Sequence, residues 1–188
     1  HRIMGEQHKK HSRREHLNDF HLNVAGEYVY DGALYACQND DAKQRRSKRA
    51  VWGMAAILTV AVAAGGCIPA PGMQNCFYVL LPYLGEFLGA ASVIWALAKL
   101  GTDWSTVREY NYKKSVAVLP VRTAVTAVFS GLGIVCELIF FFVNDHAGQT
   151  FFALLYVLLK LIALLSVLVL RAEIMQAEWD KLPKKNNF

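Results

Sequence analysis

The stretch FYVLLPYLGEFLGAASVIWALAKL, residues 77–100, decides the fold of this chain. An α-helix needs about 20 apolar residues to cross the roughly 30 Å hydrocarbon core of a bilayer, and this stretch meets that length. Three further runs of the same kind cover residues 51–70, 118–143 and 151–170. The sequence therefore predicts an all-α integral membrane protein, built as a bundle of four transmembrane helices. Because the connections 71–76 and 144–150 are short, we expect span one beside span two and span three beside span four.

The polar flanks leave room for one membrane domain and two short arms. Of the 188 residues 54% are hydrophobic and 19% are charged, so a second large domain has no space. We divide the chain into a cytoplasmic N-terminal arm over 1–50, a four-helix transmembrane domain over 51–170, and a cytoplasmic helix extension and tail over 171–188. The bilayer is the first expected partner.

The positions of the basic residues predict the orientation of the chain. Lysine and arginine crowd into a basic patch at 43–49, into the connection between spans two and three, and into the region after span four. The connections 71–76 and 144–150 contain neither. Cytoplasmic loops carry the excess of these residues, so both termini are expected in the cytoplasm. The net charge of +5 is then explained by the membrane surface, and no nucleic acid is expected as a partner.

The two arms carry local structure signals. Residues 12–15, Ser-Arg-Arg-Glu, form a capping box and predict a short helix over 13–25. Residues 27–36 place two β-prone runs around an Asp-Gly dipeptide, which suits a hairpin turn. A β-hairpin and a flexible linker with an aromatic anchor both remain open for that segment. After span four, the helix is expected to continue over 171–181.

Three charged residues lie deep inside the apolar runs. At 1.5 Å per residue, Glu86 and Lys160 fall roughly 14 Å below the outer boundary and Glu137 roughly 9 Å below it. Insertion scales put a charge at the centre of a span at about 2.5–3.5 kcal/mol, so these side chains should face protein or a cavity. We expect Lys160 to lie between the two carboxylates. Two acids against one amine leave a negative charge, so at least one acid is expected to hold a proton.

Helical spacing adds polar residues to this layer. One stripe of span three recurs at intervals of three and four, namely Arg122, Thr126, Ser130, Gly133 and Glu137. Tyr156 stands one turn before Lys160 and is expected to bond to it. We therefore take Thr126, Ser130 and Tyr156, with the three charged residues, as a candidate substrate, ion or proton site. Arg122, near the inner end of span three, is expected to snorkel to the headgroups, with a gating or interface role as the alternative.

Two interpretations of the layer compete. In the first, a buried ion-pair cluster fixes which helix packs on which. In the second, the acids and the amine exchange protons or bind a substrate or ion. The uneven charge favours the second, because a purely structural cluster would more naturally be balanced.

The cysteines and histidines give no sign of an enzyme. Cys67 and Cys76 lie at the outer ends of spans one and two, where a disulfide and two free thiols both remain open. The histidines of the N-terminal arm lack further ligands for a metal, so neither metal nor cofactor is expected. No nucleophile elbow, metalloprotease helix or phosphate-binding loop is present in the sequence.

The sequence favours a small transporter or channel-like protein that works as a homo-oligomer. A small-residue seam on span two, namely Gly85, Gly89, Ser92 and Ala96, suits close approach of a second copy in a dimer. The alternative is a non-catalytic membrane accessory or scaffold subunit, whose N-terminal arm docks a membrane partner protein.

Overall fold

The computed structural model of this chain describes residues 20–22, 28–30, 32–144 and 150–182. Within them the chain forms six helices, in chain order α1 (Asp41–Cys67), α2 (Pro71–Asn75), α3 (Phe77–Leu100), α4 (Glu109–Lys114), α5 (Leu119–Val143) and α6 (Thr150–Gln176). The four long ones, α1, α3, α5 and α6, are long and apolar enough to cross a membrane and match the four predicted spans. This architecture suggests a multi-pass membrane protein.

The outward surfaces of the long helices are apolar. Large side chains on these surfaces stay exposed, with Phe142 at 81%, Phe77 at 72% and Leu88 at 67%. A water-soluble monomer rarely exposes contiguous apolar surface on this scale. Inside the bundle the buried apolar residues form two clusters: the larger one includes Val51, Leu97, Trp104, Leu119 and Leu170, and the smaller one consists of Leu58, Ala61, Val62, Ala90, Ala163 and Val167.

The helices pack in the order α1, α6, α5, α3. α1 packs along α6, α6 along α5 and α5 along α3, whereas α1 and α3 touch much less. The expected pairing of spans three and four is therefore present, but spans one and two are not a main pair. The reason is that α2 fills the connection between them and contacts α3, α5 and α6. We call this the α2 end of the bundle.

The opposite end is covered by a three-stranded antiparallel sheet. Its central strand β3 (Leu34–Cys37) pairs with β4 (Val107–Arg108) on one side and with β5 (Trp179–Lys181) on the other. Aromatic side chains consolidate it: the ring centroids of Tyr35 and Tyr112 are 4.2 Å apart and the rings are stacked. We call this the sheet end. Strands β1 (Phe20–Leu22) and β2 (Tyr28–Tyr30) form a separate antiparallel pair.

Both arms differ from the sequence-based expectation. Within the helix predicted over 13–25, residues 20–22 form strand β1, and the rest of that segment lies outside the described residues. The two strands expected in 27–36 exist, but they pair with other strands instead of with each other. The helix expected over 171–181 ends at Gln176, and residues 179–181 are strand. For β3 and β5 a strand partner distant in sequence outweighs the local propensity, whereas β1 pairs with the nearby β2.

The small-residue seam of α3 faces α5 of the same chain. A Cβ atom added at Gly89 would lie 2.6 Å from Thr126 Oγ1, closer than real Cβ atoms come, and 3.3 Å from Thr126 Cα, which is a tight contact. A Cβ at Gly85 would overlap the ring of Phe129. The seam is therefore filled within one chain, and the expectation that it pairs two copies is wrong for Gly85 and Gly89.

Substitution of Gly89 tests this close approach. We expect Gly89→Ala to lower the free energy of unfolding by about 1–3 kcal/mol, because the added methyl overpacks the contact between α3 and α5. Gly131→Ala is the matched control, since nothing lies within 4 Å of its Cβ position. It should be neutral or stabilising by about 0.5–1 kcal/mol through helix propensity. Thermal unfolding in detergent measures both, and equal effects at the two positions would contradict the packing.

Candidate functional site

Five buried side chains from three helices meet inside the bundle. α3 supplies Glu86, α5 supplies Ser130 and Glu137, and α6 supplies Tyr156 and Lys160. The first four are 0% exposed and Lys160 is 2% exposed. We call these five residues the charged layer. The helical spacing of three and four residues that predicted the layer is what turns each of them inward.

Glu86 and Lys160 form a buried ion pair. The Lys160 ammonium donates to Oε2 of Glu86, and the Ser130 hydroxyl donates to Oε1 over 2.5 Å. Both oxygens of the carboxylate are thus occupied. Since buried charges are stable in proteins only when paired and hydrogen-bonded, this arrangement fits an ionised Glu86 and a charged Lys160.

Two tyrosine rings complete the surroundings of the ammonium. Lys160 Nζ lies 4.5 Å from the ring centroid of Tyr83 and 5.1 Å from that of Tyr156. Both distances are within the range of cation–π attraction. The Tyr83 hydroxyl donates to the carbonyl of Val62 over 3.4 Å, and it lies so close to Gly66 that a Cβ there would overlap it. Sequence reasoning missed Tyr83, although its position three residues before Glu86 places both on one helix face.

Glu137 is buried without a described side-chain partner. Neither carboxyl oxygen has a hydrogen bond of normal geometry within the described part of the chain, although the backbone N–H of Gly72 lies close enough to interact with the carboxyl group; the Tyr156 hydroxyl has no described hydrogen bond. The carboxyl group lies against the backbone of α2, where a Cβ on Gly72 would overlap Oε2. An unsatisfied buried polar group costs about 1–3 kcal/mol, so this acid is expensive to keep.

The expectation that Lys160 lies between two carboxylates is wrong. Among the described residues Lys160 pairs with Glu86 and not with Glu137. Glu137 follows Ser130 by about two helical turns, or roughly 10 Å along α5. That offset places it next to α2, while Ser130 reaches Glu86. The expected bond between the Tyr156 hydroxyl and Lys160 is also not formed, because the ammonium faces the ring instead.

Thr126 and Arg122 lie nearer the sheet end than the charged layer. The Thr126 hydroxyl donates to the carbonyl of Arg122 over 2.8 Å, within its own helix. Arg122 Nη1 donates to the carbonyl of Ser92 on α3 over 2.7 Å. The guanidinium therefore bridges α5 and α3, and a gating role for it stays a prediction.

Replacing Arg122 tests the bridge. We expect Arg122→Leu to lower the free energy of unfolding by about 1.5–3 kcal/mol, the usual contribution of a hydrogen bond from a charged group. Arg46→Leu is the matched control, because Arg46 is exposed on the polar start of α1. Unfolding in detergent compares the two variants. A similar small change in both would argue against a bridge between α5 and α3.

Cys67 and Cys76 flank α2 as free thiols. Cys67 is exposed and Cys76 is half-buried. The disulfide between them stays a prediction, which mass spectrometry of the unreduced protein tests. Across the described residues, no group of three histidine, cysteine or acidic side chains is placed to hold a metal ion.

The charged layer has the chemistry to hold a cation or to store a proton. It has one satisfied carboxylate, one buried ammonium between aromatic rings, and one acid with free hydrogen-bonding capacity. Comparison of the chain with protein-family models, with curated proteins and with solved structures finds no match. A function therefore has to be argued from this geometry.

Proposed function

We propose that this protein is a small multi-pass membrane transporter or channel-like protein, with both termini in the cytoplasm. The charged layer handles its substrate, ion or protons. The observation that carries the proposal is Glu137, a fully buried acid without a described side-chain partner, about two helical turns from the ion pair of Glu86 and Lys160. A structural cluster gains nothing from such an acid, whereas a site that takes up and releases a cation or proton needs one.

The position of Glu137 supports this role. Its carboxyl group lies directly below α2, a helix of only 5 residues at one end of the bundle. In this proposal, movement of this short segment uncovers the acid. Glu86 and Lys160 lie on the side of Glu137 away from α2, so a cation entering there meets the two acids in succession.

Flux through the purified protein in proteoliposomes tests the proposal. Proton, Na⁺ and K⁺ movements are measured for the wild type and for Glu86→Gln and Glu137→Gln, after each variant is shown to be folded by size-exclusion chromatography. We expect measurable flux in the wild type and its loss in both variants. Flux in folded Gln variants equal to that of the wild type would refute a role for the layer.

A second candidate function is a membrane accessory or scaffold subunit, which the complete burial of the charged layer favours. The docking element in that case is the pair β1–β2, whose Tyr28 side chain is 75% exposed. Deletion of residues 4–30 removes this pair but leaves β3 in the sheet. Crosslinking in membranes should then lose the partner while the bundle stays folded; recovery of the same proteins with and without residues 4–30 speaks against docking there.

The homo-oligomer stays part of the proposal. Because Gly85 and Gly89 face α5, a second copy has to use another surface of the bundle. Mass photometry of the protein in nanodiscs tests the stoichiometry.

A further inference from the structure

The groups around the Lys160 ammonium have the composition of a receptor for an alkylammonium ion. Glu86 supplies the counter-charge, and the rings of Tyr83 and Tyr156 face the ammonium at 4.5 and 5.1 Å. We call these three residues the ammonium cradle. A carboxylate combined with aromatic faces is the chemistry that recognises organic cations.

The cradle is held by contacts that do not involve Lys160. Ser130 fixes one oxygen of Glu86 over 2.5 Å, and the backbone of Val62 fixes the hydroxyl of Tyr83. Removal of the lysine side chain therefore leaves the carboxylate and the Tyr83 ring in place. A receptor that is organised without its ligand binds without a large reorganisation cost.

The stem of Lys160 lies along a side-chain-free part of α5. A Cβ added at Gly133 would be 3.7 Å from Cε and 3.8 Å from Cδ of Lys160, which is ordinary van der Waals contact. Gly133 is followed one turn later by Glu137, on the same face of α5. The helix that the Lys160 stem contacts therefore carries a second carboxylate, that of Glu137. When a ligand cation binds Glu86, the Lys160 ammonium can pair with Glu137.

We infer that the ammonium cradle is a binding site for a primary alkylammonium ion, and that Lys160 occupies it as a tethered competitor in this structure. The inference rests on the proposed function and names its substrate class. Ligand binding at Glu86 requires Lys160 to leave the cradle, and Glu137 is the acid available to receive it.

Removal of the competitor tests the site directly. Lys160→Ala deletes the part of the side chain that matches n-propylammonium, which is the probe. The melting temperature of this variant in nanodiscs should rise by about 4 °C when the probe is present at roughly ten times its Kd. The neutral analogue 1-propanol should have little effect. The wild type, whose cradle is filled, should bind the probe about 100-fold more weakly or not at all.

Two double variants locate the effect. In Lys160→Ala with Glu86→Gln the shift should disappear, and in Lys160→Ala with Glu137→Gln it should persist. Overturning results are the absence of any shift in folded Lys160→Ala, an equal shift with 1-propanol, and a shift that survives Glu86→Gln. If Lys160→Ala does not accumulate, the yield of monodisperse protein is measured instead of the melting temperature. Extraction with n-propylammonium should raise this yield, and extraction with 1-propanol should not. Failure of n-propylammonium to raise the yield overturns the inference.

The two proposals fail in distinguishable ways. Binding of the probe to Lys160→Ala without any flux through the wild type leaves the ammonium site standing and removes the transporter. Flux that depends on Glu86 and Glu137, without binding of the probe, keeps the transporter and removes alkylammonium as its ligand class.

Discussion

Replacement of Glu86 by leucine is expected to lower the free energy of unfolding by about 3–5 kcal/mol, because it leaves the buried Lys160 ammonium without a counter-charge. The residue is 0% exposed and binds both Lys160 and Ser130, so water does not replace it, and the ammonium can reach Glu137 only by leaving its observed position. Lys160→Met should have a smaller effect. It leaves Glu86 with the hydrogen bond from the Ser130 hydroxyl, whereas Glu86→Leu leaves the ammonium with no described hydrogen-bond acceptor.

The double variant Glu86→Leu with Lys160→Met separates the lost pair from lost packing. Once both charges are gone, the bundle should recover most of the stability lost in Glu86→Leu, since apolar groups of similar volume often replace a buried ion pair without a net cost. Unfolding by sodium dodecyl sulfate titration, read by circular dichroism, measures all four members of the cycle. Strictly additive effects of the two single changes would mean that the residues are not coupled.

Replacement of Glu137 by methionine is expected to have the opposite sign. It should raise the free energy of unfolding by about 1–3 kcal/mol, because it removes a buried carboxyl group that has no described side-chain partner and only the backbone N–H of Gly72 nearby. The same variant should lose the flux that the proposed function requires. Greater stability together with lost activity is the pattern of a residue kept for function at a cost in stability.

The comparison with Glu86→Met makes the Glu137 result decisive. Both substitutions put the same side chain at a fully buried acid, so a difference in sign reports the partners of each acid and not methionine itself. The same unfolding titration and the proteoliposome assay are applied to both variants. A clear loss of stability in Glu137→Met would show that Glu137 has a structural partner, and would remove the observation on which the proposed function depends.

The four long helices were predictable because their signal is local and strong. The run 77–100 begins and ends at the bounds of α3, and span three differs from α5 by one residue at its start. Each run only has to exceed the thickness of a bilayer, whatever its neighbours do. The inward stripe of α5 was equally visible, since Ser130 and Glu137 are both 0% exposed.

The partners within the charged layer were less predictable. The estimated depths put Glu86 and Lys160 at one level and Glu137 nearer the end, which agrees with the observed pair. The expectation that one ammonium serves two acids ignored the length of that offset along α5. The neighbours of each helix also depend on side-chain packing among all four helices. The short connection that contains α2 suggested that α1 packs on α3, but α1 packs mainly on α6.

The pairing of β3 with β4 and β5 was not predicted because these partners are remote in sequence. Tyr35 pairs with Val107 on one side and with Lys181 on the other. An Asp-Gly dipeptide predicts a local hairpin, but it carries no information about such distant partners. The helix predicted after span four failed for the same reason, since Trp179 finds Cys37 opposite it.

The sheet joins the segment before α1, the connection between α3 and α5, and the segment after α6. The helices are therefore held together more firmly at the sheet end than at the α2 end. Ser47 also donates to Glu173 over 2.8 Å, and Arg171 donates to the carbonyl of Pro120, so α1, α6 and α5 are cross-braced near the same place. Helices that are joined at one end move relative to each other mainly at the other end. Spin labels should therefore report broad interhelical distance distributions beside α2 and narrow ones beside β3.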